Sequence, residues 1–323
     1  MTDAHVAAAT PTAPTGVLLM TFGSAVTSAD VPQYLRSVRG GREASAELVE
    51  EFRRRFDVIG RSPLIDITVE QGAALERLLS ERHPDGEFAV GVGMLHSAPR
   101  VTDGLRSLCD RGVEQVVAVV LAPQYSPLIL SGYERSLGAH GPTCAPGIPV
   151  RLAEAWHRTP SWVESLSERL VEALGRLEQA AAGPVAVVFT AHSLPRPVVE
   201  RDPGYMAQIE ETIAAVAAAA GLAPERWTFA FQSAGHTPEE WLTPDLLDVL
   251  PGLRDDGATD VLVVPVQFVA DHLEILYDID VAAAAQAGEA GLGFHRIRMP
   301  NTSARFITAL AEVVERELAA VTA

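Results

Sequence analysis

The chain contains no lysine: its 25 basic residues are all arginine. Schiff-base chemistry on a lysine amine and a P-loop lysine are therefore both excluded. Cysteine is nearly absent. Cys109 and Cys144 stand alone, so neither a zinc-finger pattern nor a disulfide framework can be drawn, and one chain cannot wrap a four-thiolate iron–sulfur cluster. Aromatic residues make up 6% of the sequence, and no apolar run approaches 18 residues, so no membrane-spanning helix is expected. Basic charge is in deficit as well. The formal charge of −17 argues against nucleic acid and anionic lipid as main partners, and it suits handling of cations. Residues 1–14 lack a basic n-region and read as a disordered tail rather than a signal peptide, which makes the cytoplasm the expected location.

What is present is ordinary globular material, 48% hydrophobic and 21% charged over 323 residues, enough for two domains. Eight β-branched runs recur: 17–22, 88–94, 115–122, 149–154, 184–191, 227–233, 260–268 and 294–300. They are continuous rather than alternating, and helical stretches separate them. This pattern predicts parallel strands covered on both faces, in two sets of four. The expected fold is α/β, with two Rossmann-like domains, each a four-stranded parallel sheet flanked by helices. The boundaries read as 15–160 and 161–302, with a helix over 303–323 packing back on the body. Segments 110–134 and 255–278 share a layout, as do 93–99 and 231–238, so an internal duplication is expected. It would place two sets of strand ends around one cleft.

No nucleotide signature is complete. G-V-G-M-L-H at 91–96 lacks a third glycine, and there is no Walker A motif, G-x-S-x-G elbow or H-E-x-x-H. Two stretches carry chemistry instead. In FTAHSLP (189–195), His192 stands at the C-terminal end of a predicted buried strand, where a structural and a functional histidine are equally reasonable; Ser193 reads as a cap. In VQFVADHLEILYDID (266–280), Glu274 and Asp278 are four apart and share a helix face, with Asp271 expected as N-cap on the same side. A divalent cation would offset the repulsion of that acidic stripe, whereas plain capping accounts for Asp271 alone. In the first segment Arg36, Arg39, Arg42, Arg53, Arg54, Arg55 and Arg61 concentrate forks suited to carboxylates; a solvated helix face is the plainer reading of any one of them.

Together these stretches resemble the ferrochelatases. FTAHSLP resembles their A-H-S-L-P motif, VQFVADHLEILYDID their D-H-L-E-x-L-Y-D motif, and QSAGHTPEEWLTPD (232–245) their Q-S-x-x-x-T-P-x-x-W-L-x-P-D segment. VLLMTFGS, IGRSPL, VLAPQYS and MPNTSARFI fall in corresponding places, and the likeness runs from about residue 15 to 320. It is greatest to the compact coproporphyrin III type of Gram-positive bacteria.

The resemblance implies insertion of Fe(II) into a porphyrin held in the cleft, a lyase reaction of haem biosynthesis. It implies His192 and Glu274 as proton acceptor and metal ligands, with Asp278 extending the metal path. It implies Phe22, Arg39, Arg55, Ser62, His96, Tyr133 and Trp241 as porphyrin-binding. It further implies that Fe(II) is a substrate, that no cofactor is tightly bound and no iron–sulfur cluster is present. Porphyrin, ferrous iron and neighbouring haem-pathway enzymes are the partners it suggests, for a monomer without a transmembrane anchor.

Three positions depart from the pattern: Phe22 stands where compact relatives often carry a ligating tyrosine, Ala282 ends the acidic stripe early, and IGRSPL is one residue short. The alternatives are a protoporphyrin IX ferrochelatase, another tetrapyrrole chelatase, or a porphyrin carrier without catalysis.

Overall fold

The computed structural model describes residues 13–124, 126–144, 147–235 and 239–322. The predicted tail lies mostly outside them, and so do Tyr125 and His236–Pro238 of two quoted motifs.

Each β-branched run forms a strand. The first sheet holds β1 (Thr15–Thr21), β2 (Phe88–Met94), β3 (Gln115–Val120) and β4 (Val150–Leu152), in the order β2-β1-β3-β4. The second holds β5 (Val185–His192), β6 (Trp227–Gln232), β7 (Asp260–Pro265) and β8 (Gly293–Arg296), in the order β6-β5-β7-β8. All six pairings are parallel. The two orders are the same when counted from each domain's first strand, which agrees with the expected duplication.

In such a sheet the strand order reverses beside the first strand, and the crossover helices there leave to opposite faces. A crevice opens at the strand C-termini, between β1 and β3 in one domain and between β5 and β7 in the other. The central strands are buried on both faces, which is why they read as unbroken apolar runs.

The crossovers of the first domain are α1 (Val31–Val38), α2 (Ala46–Ile59), α3 (Leu64–Arg82), α4 (Val101–Asp110) and α5 (Pro127–Cys144). Those of the second are α6 (Pro160–Ala180), α7 (Arg196–Arg201), α8 (Gly204–Ala219) and α9 (Leu246–Asp255). A π-helical segment, Glu274–Ala283, follows and runs into α10 (Ala284–Glu289). The last helix is α11 (Ala304–Thr322). One apolar cluster unites Val17, Leu19 and Leu75 of the first domain, Val187, Phe189 and Leu262 of the second, and Phe306, Leu310 and Val314 of α11. Trp156, Trp162 and Phe306 pack edge to face or tilted at its centre.

Candidate active site

His192 is the last residue of β5, and its backbone N–H donates to Gln267 Oε1 at 2.9 Å. Gln267 in turn bonds the hydroxyl of buried Tyr205. The imidazole Nδ1 lies against the Ser193 carbonyl, so the neutral ring carries its proton there and presents Nε2 as an acceptor. That Nε2 faces the Glu274 carboxylate at 3.4 Å.

Glu274 opens the π-helical segment after β7, on the other side of the switch point from His192. A second imidazole, His272, stands 3.7 Å from the same carboxylate oxygen, with its Nδ1 at 3.0 Å from the Ala270 carbonyl. Phe268 sits beside both rings, 6.3 Å from His192 and 4.5 Å from His272 between centroids.

The electrostatics follow from these neighbours. Burial pushes the Glu274 carboxyl up, but His192, His272 and Arg55 pull it down further, to about 2. Burial pulls His272 down, yet its hydrogen bond and charge contact with Glu274 carry it above the ordinary value. Asp278 moves the other way from Glu274. Burial and the Glu274 charge raise it, against a hydrogen bond from Ser233 and the charge of Arg55. Two carboxylates four residues apart are thereby given opposite tendencies.

The FTAHSLP and QSAGHTPEEWLTPD stretches dock on each other. Ser193 N–H donates to Gln232 O, Leu242 N–H to Leu194 O, and Arg196 N–H to Glu240 O, and Pro195 bridges Trp241. The Trp241 ring thus lies 6.4 Å from that of His192. A Cβ at Gly235 would come within 2.6 Å of the Trp241 ring, so a side chain there would push the indole away. Ser193 differs from its reading as a cap. Its Oγ donates to Leu242 O at 2.9 Å, while the helix that follows starts on Pro195 with no side-chain cap.

The first domain contributes a second group of candidate residues. Phe22 follows β1, is 46% exposed and stacks at 4.4 Å on His96, which follows β2. The turn between β1 and α1 needs Gly23, at φ +91°, because a Cβ there would collide with Ser97. His96 Nδ1 lies 3.1 Å from Ser37 Oγ, and Arg100 bonds that same hydroxyl. Burial, then the charge of Arg100, holds His96 below its usual value. Tyr34, on α1, donates to Gly23 O at 3.4 Å and is near enough to Glu274 for that carboxylate to help burial raise its hydroxyl.

Arg55 of α2 reaches across to Asp278, 3.4 Å away, while also pairing with Glu51 and lying over the rings of Phe52 and Tyr277. The expected residues therefore fall into groups. His192, Glu274, Asp278, Trp241 and Arg55 are gathered round the second domain's switch point, and Phe22 and His96 stand together past the ends of β1 and β2 in the first domain. Tyr133 is buried, its hydroxyl raised by desolvation and by Tyr34. Ser62 is buried, and its Oγ has no hydrogen-bond partner among the described residues. Arg39 is exposed at the end of α1.

Asp271 corrects the reading that placed it as N-cap on Glu274's side. It points to Asn301 and Arg296 instead. The missed participants are His272, Tyr34 and Gln267. His272 was visible inside the quoted motif, two residues before Glu274.

Comparison with known proteins bears on the family and the fold. The chain is 36% identical over 310 residues to the ferrochelatase of Deinococcus radiodurans, covering 95% of this chain and 97% of that one. It is 34% identical to the coproporphyrin III ferrochelatase of Geobacillus sp. (strain WCH70), covering 94% and 97%. Among solved structures, SirB from Bacillus subtilis with Fe3+ superposes with a TM-score of 0.57 at 13% identity, covering 96% of this chain and 97% of that one. CbiX, from siroheme biosynthesis in denitrifying bacteria, superposes at 0.53 and 15% identity, covering 93% and 98%. At such identities these two speak for a shared two-domain chelatase fold. The profile described as Ferrochelatase matches residues 14–318, and the chain belongs to the ferrochelatase family, whose members are metal-chelating lyases.

Proposed function

We propose that this protein inserts Fe(II) into coproporphyrin III, with Glu274 receiving the metal and His192 the first pyrrole proton. The observation that carries the reading is the Glu274 carboxylate, held ionised between two imidazoles at a switch-point crevice, with Tyr34 and Arg55 of the first domain close by. Insertion exchanges one dication for two N–H protons. An acceptor and a metal-binding anion must therefore stand within reach of the ring nitrogens. Nε2 of His192 is an acceptor in the neutral ring. Once it is protonated, its charge lies 3.4 Å from Glu274, which stabilises the imidazolium. Glu274 is anionic at any working pH and offers an oxygen ligand to a hydrated dication. Asp278, raised by its surroundings, is suited to take up a proton and pass it outward.

The exposed arginines of α1 and α2 favour a tetracarboxylate porphyrin over a dicarboxylate one, since each fork can meet a propionate. The names of the relatives support the same choice. We further propose a monomer acting in the cytoplasm, with neighbouring haem-pathway enzymes as its contacts and with no resident cofactor or iron–sulfur cluster. No described helix is long and apolar enough to cross a membrane.

The test is anaerobic Fe(II) insertion into coproporphyrin III and protoporphyrin IX, followed by absorbance. Faster turnover of coproporphyrin III is expected. No insertion into either porphyrin sinks the enzyme reading, and preference for protoporphyrin IX sinks the substrate assignment.

A further inference from the structure

We propose that Asn301 is a positioning residue for iron insertion: it clamps the loop that presents His272 and Glu274 and ties it to the first domain. The inference rests on the function proposed above. Asn301 is the only asparagine among 323 residues. It sits in the turn before α11, at a positive φ of 46°, a conformation that asparagine adopts more readily than most side-chain-bearing residues.

All four of its hydrogen-bonding functions are used. Its N–H donates to Val269 O at 2.9 Å, and its Oδ1 accepts the Asp271 N–H at 2.9 Å. Its Nδ2 donates to Asp271 Oδ2 at 2.7 Å. Its carbonyl accepts from Gln71 Nε2 at 2.9 Å, and Gln71 is a fully buried residue of α3 in the first domain. Three of the four bonds go to residues 269 and 271. The next residues are His272 and, two further on, Glu274.

The other oxygen of Asp271 is 3.2 Å from Arg296, which also forks onto Asp280 at 2.7 and 2.8 Å. Asp271 is thus spent on holding its own loop. The amide of Asn301 supplies both a donor and an acceptor to one residue, a pairing that aspartate cannot reproduce. Fixing this loop fixes the 3.7 Å approach of His272 to Glu274 and the aim of Glu274 at His192. A partner that orients a metal-binding group is commonly worth 10- to 100-fold in affinity or activity.

The experiment compares wild type, N301G and N301D in steady-state Fe(II) insertion, with Co(II) titrated calorimetrically into the porphyrin-free proteins. Glycine accepts the positive φ, so N301G keeps the turn and loses only the amide. For N301G, kcat/KM for Fe(II) should fall about 10- to 100-fold and Co(II) binding should weaken about tenfold, with the KM for porphyrin held within about twofold. N301D keeps an acceptor for the Asp271 N–H but sets two carboxylates against each other. It should show the same selective loss, and it serves if N301G does not fold.

Unchanged iron kinetics and Co(II) affinity in a folded variant would overturn the proposal. So would a parallel rise in both KM values, which a general loosening of the fold would give. Wild type that inserts no iron would sink the proposed function instead, and the Co(II) comparison would still decide the role of Asn301.

Discussion

Glu274 and Asp278 show how neighbours decide what a carboxylate does. Glu274 is held near 2 because the two imidazoles beside it and Arg55 outweigh its burial, whereas Asp278 is raised because burial and Glu274 outweigh Arg55. A Glu274→Gln variant keeps the shape and removes the anion. It should lose at least about 10²-fold in Fe(II) insertion while still quenching on porphyrin binding; near-normal insertion would refute a metal-receiving role. His192→Ala should lose a similar factor, with porphyrin affinity kept, measured by the same fluorescence titration. Phe22 bears on the product rather than on the chemistry. It is exposed just past the C-terminal end of β1 and stacks on His96, and a phenyl ring offers no ligand atom. Phe22→Tyr would place a phenol there. The expected outcome is slower product release, together with a shifted iron-porphyrin absorbance in the bound state, and release at the wild-type rate would count against it.

At the scale of elements, Glu76 on α3 staples three parts of the first domain. It accepts the Val90 N–H of β2 at 2.7 Å and a two-pronged pair from Arg111, after α4, at 2.8 and 2.9 Å. The Arg111 hydrogen bonds hold its carboxyl below the ordinary value. The sign follows from that. A depressed carboxylate contributes stability above its unfolded value of 4.5, and the contribution is lost as pH falls through the lower folded value. Glu76→Gln should therefore cost roughly 1 kcal/mol at pH 7, a surface-pair magnitude, and less at pH 3 by urea denaturation. An equal cost at both pH values would argue that the loss is steric. The strands of these elements were legible because continuous β-branched runs have one stable home, the centre of a parallel sheet. His192 was legible because it ends such a run. The π-helical start of the Glu274 segment was not, since whether a turn closes at four or five residues is set by packing around Leu273 and Tyr277 against α1 and α2. The direction of Asp271 was hidden for a similar reason: its partner Asn301 lies 30 residues away. The Arg55–Asp278 contact joins residues 223 apart, which no local spacing reveals.

At the scale of the molecule, two domains share their largest apolar core, while the other face of each sheet keeps a cluster of its own. The apolar cluster through β1, β3, α3, β5, β7, α6 and α11 has no seam between the sheets, and α11, last in the chain, packs on α3 and α6 at once. Gln124, almost wholly buried after β3, adds a polar tie by donating to Thr212 of α8 at 3.0 Å. Domains joined by a small wet interface melt apart, but domains joined by a common core do not. The protein should therefore unfold in one calorimetric transition, with matching calorimetric and van't Hoff enthalpies. Phe306 lies at the heart of that core, fully buried and 5.9 Å from the Trp162 ring. Removing its ring in Phe306→Ala should cost about 3–5 kcal/mol by lost burial and a residual cavity. Because the cavity lies in the shared interior, the whole transition should move down as one peak. A second peak appearing at lower temperature would mean that α11 belongs to one domain alone. The site would then be held by two bodies free to move against each other, rather than by a single frame that fixes the Arg55–Asp278 contact.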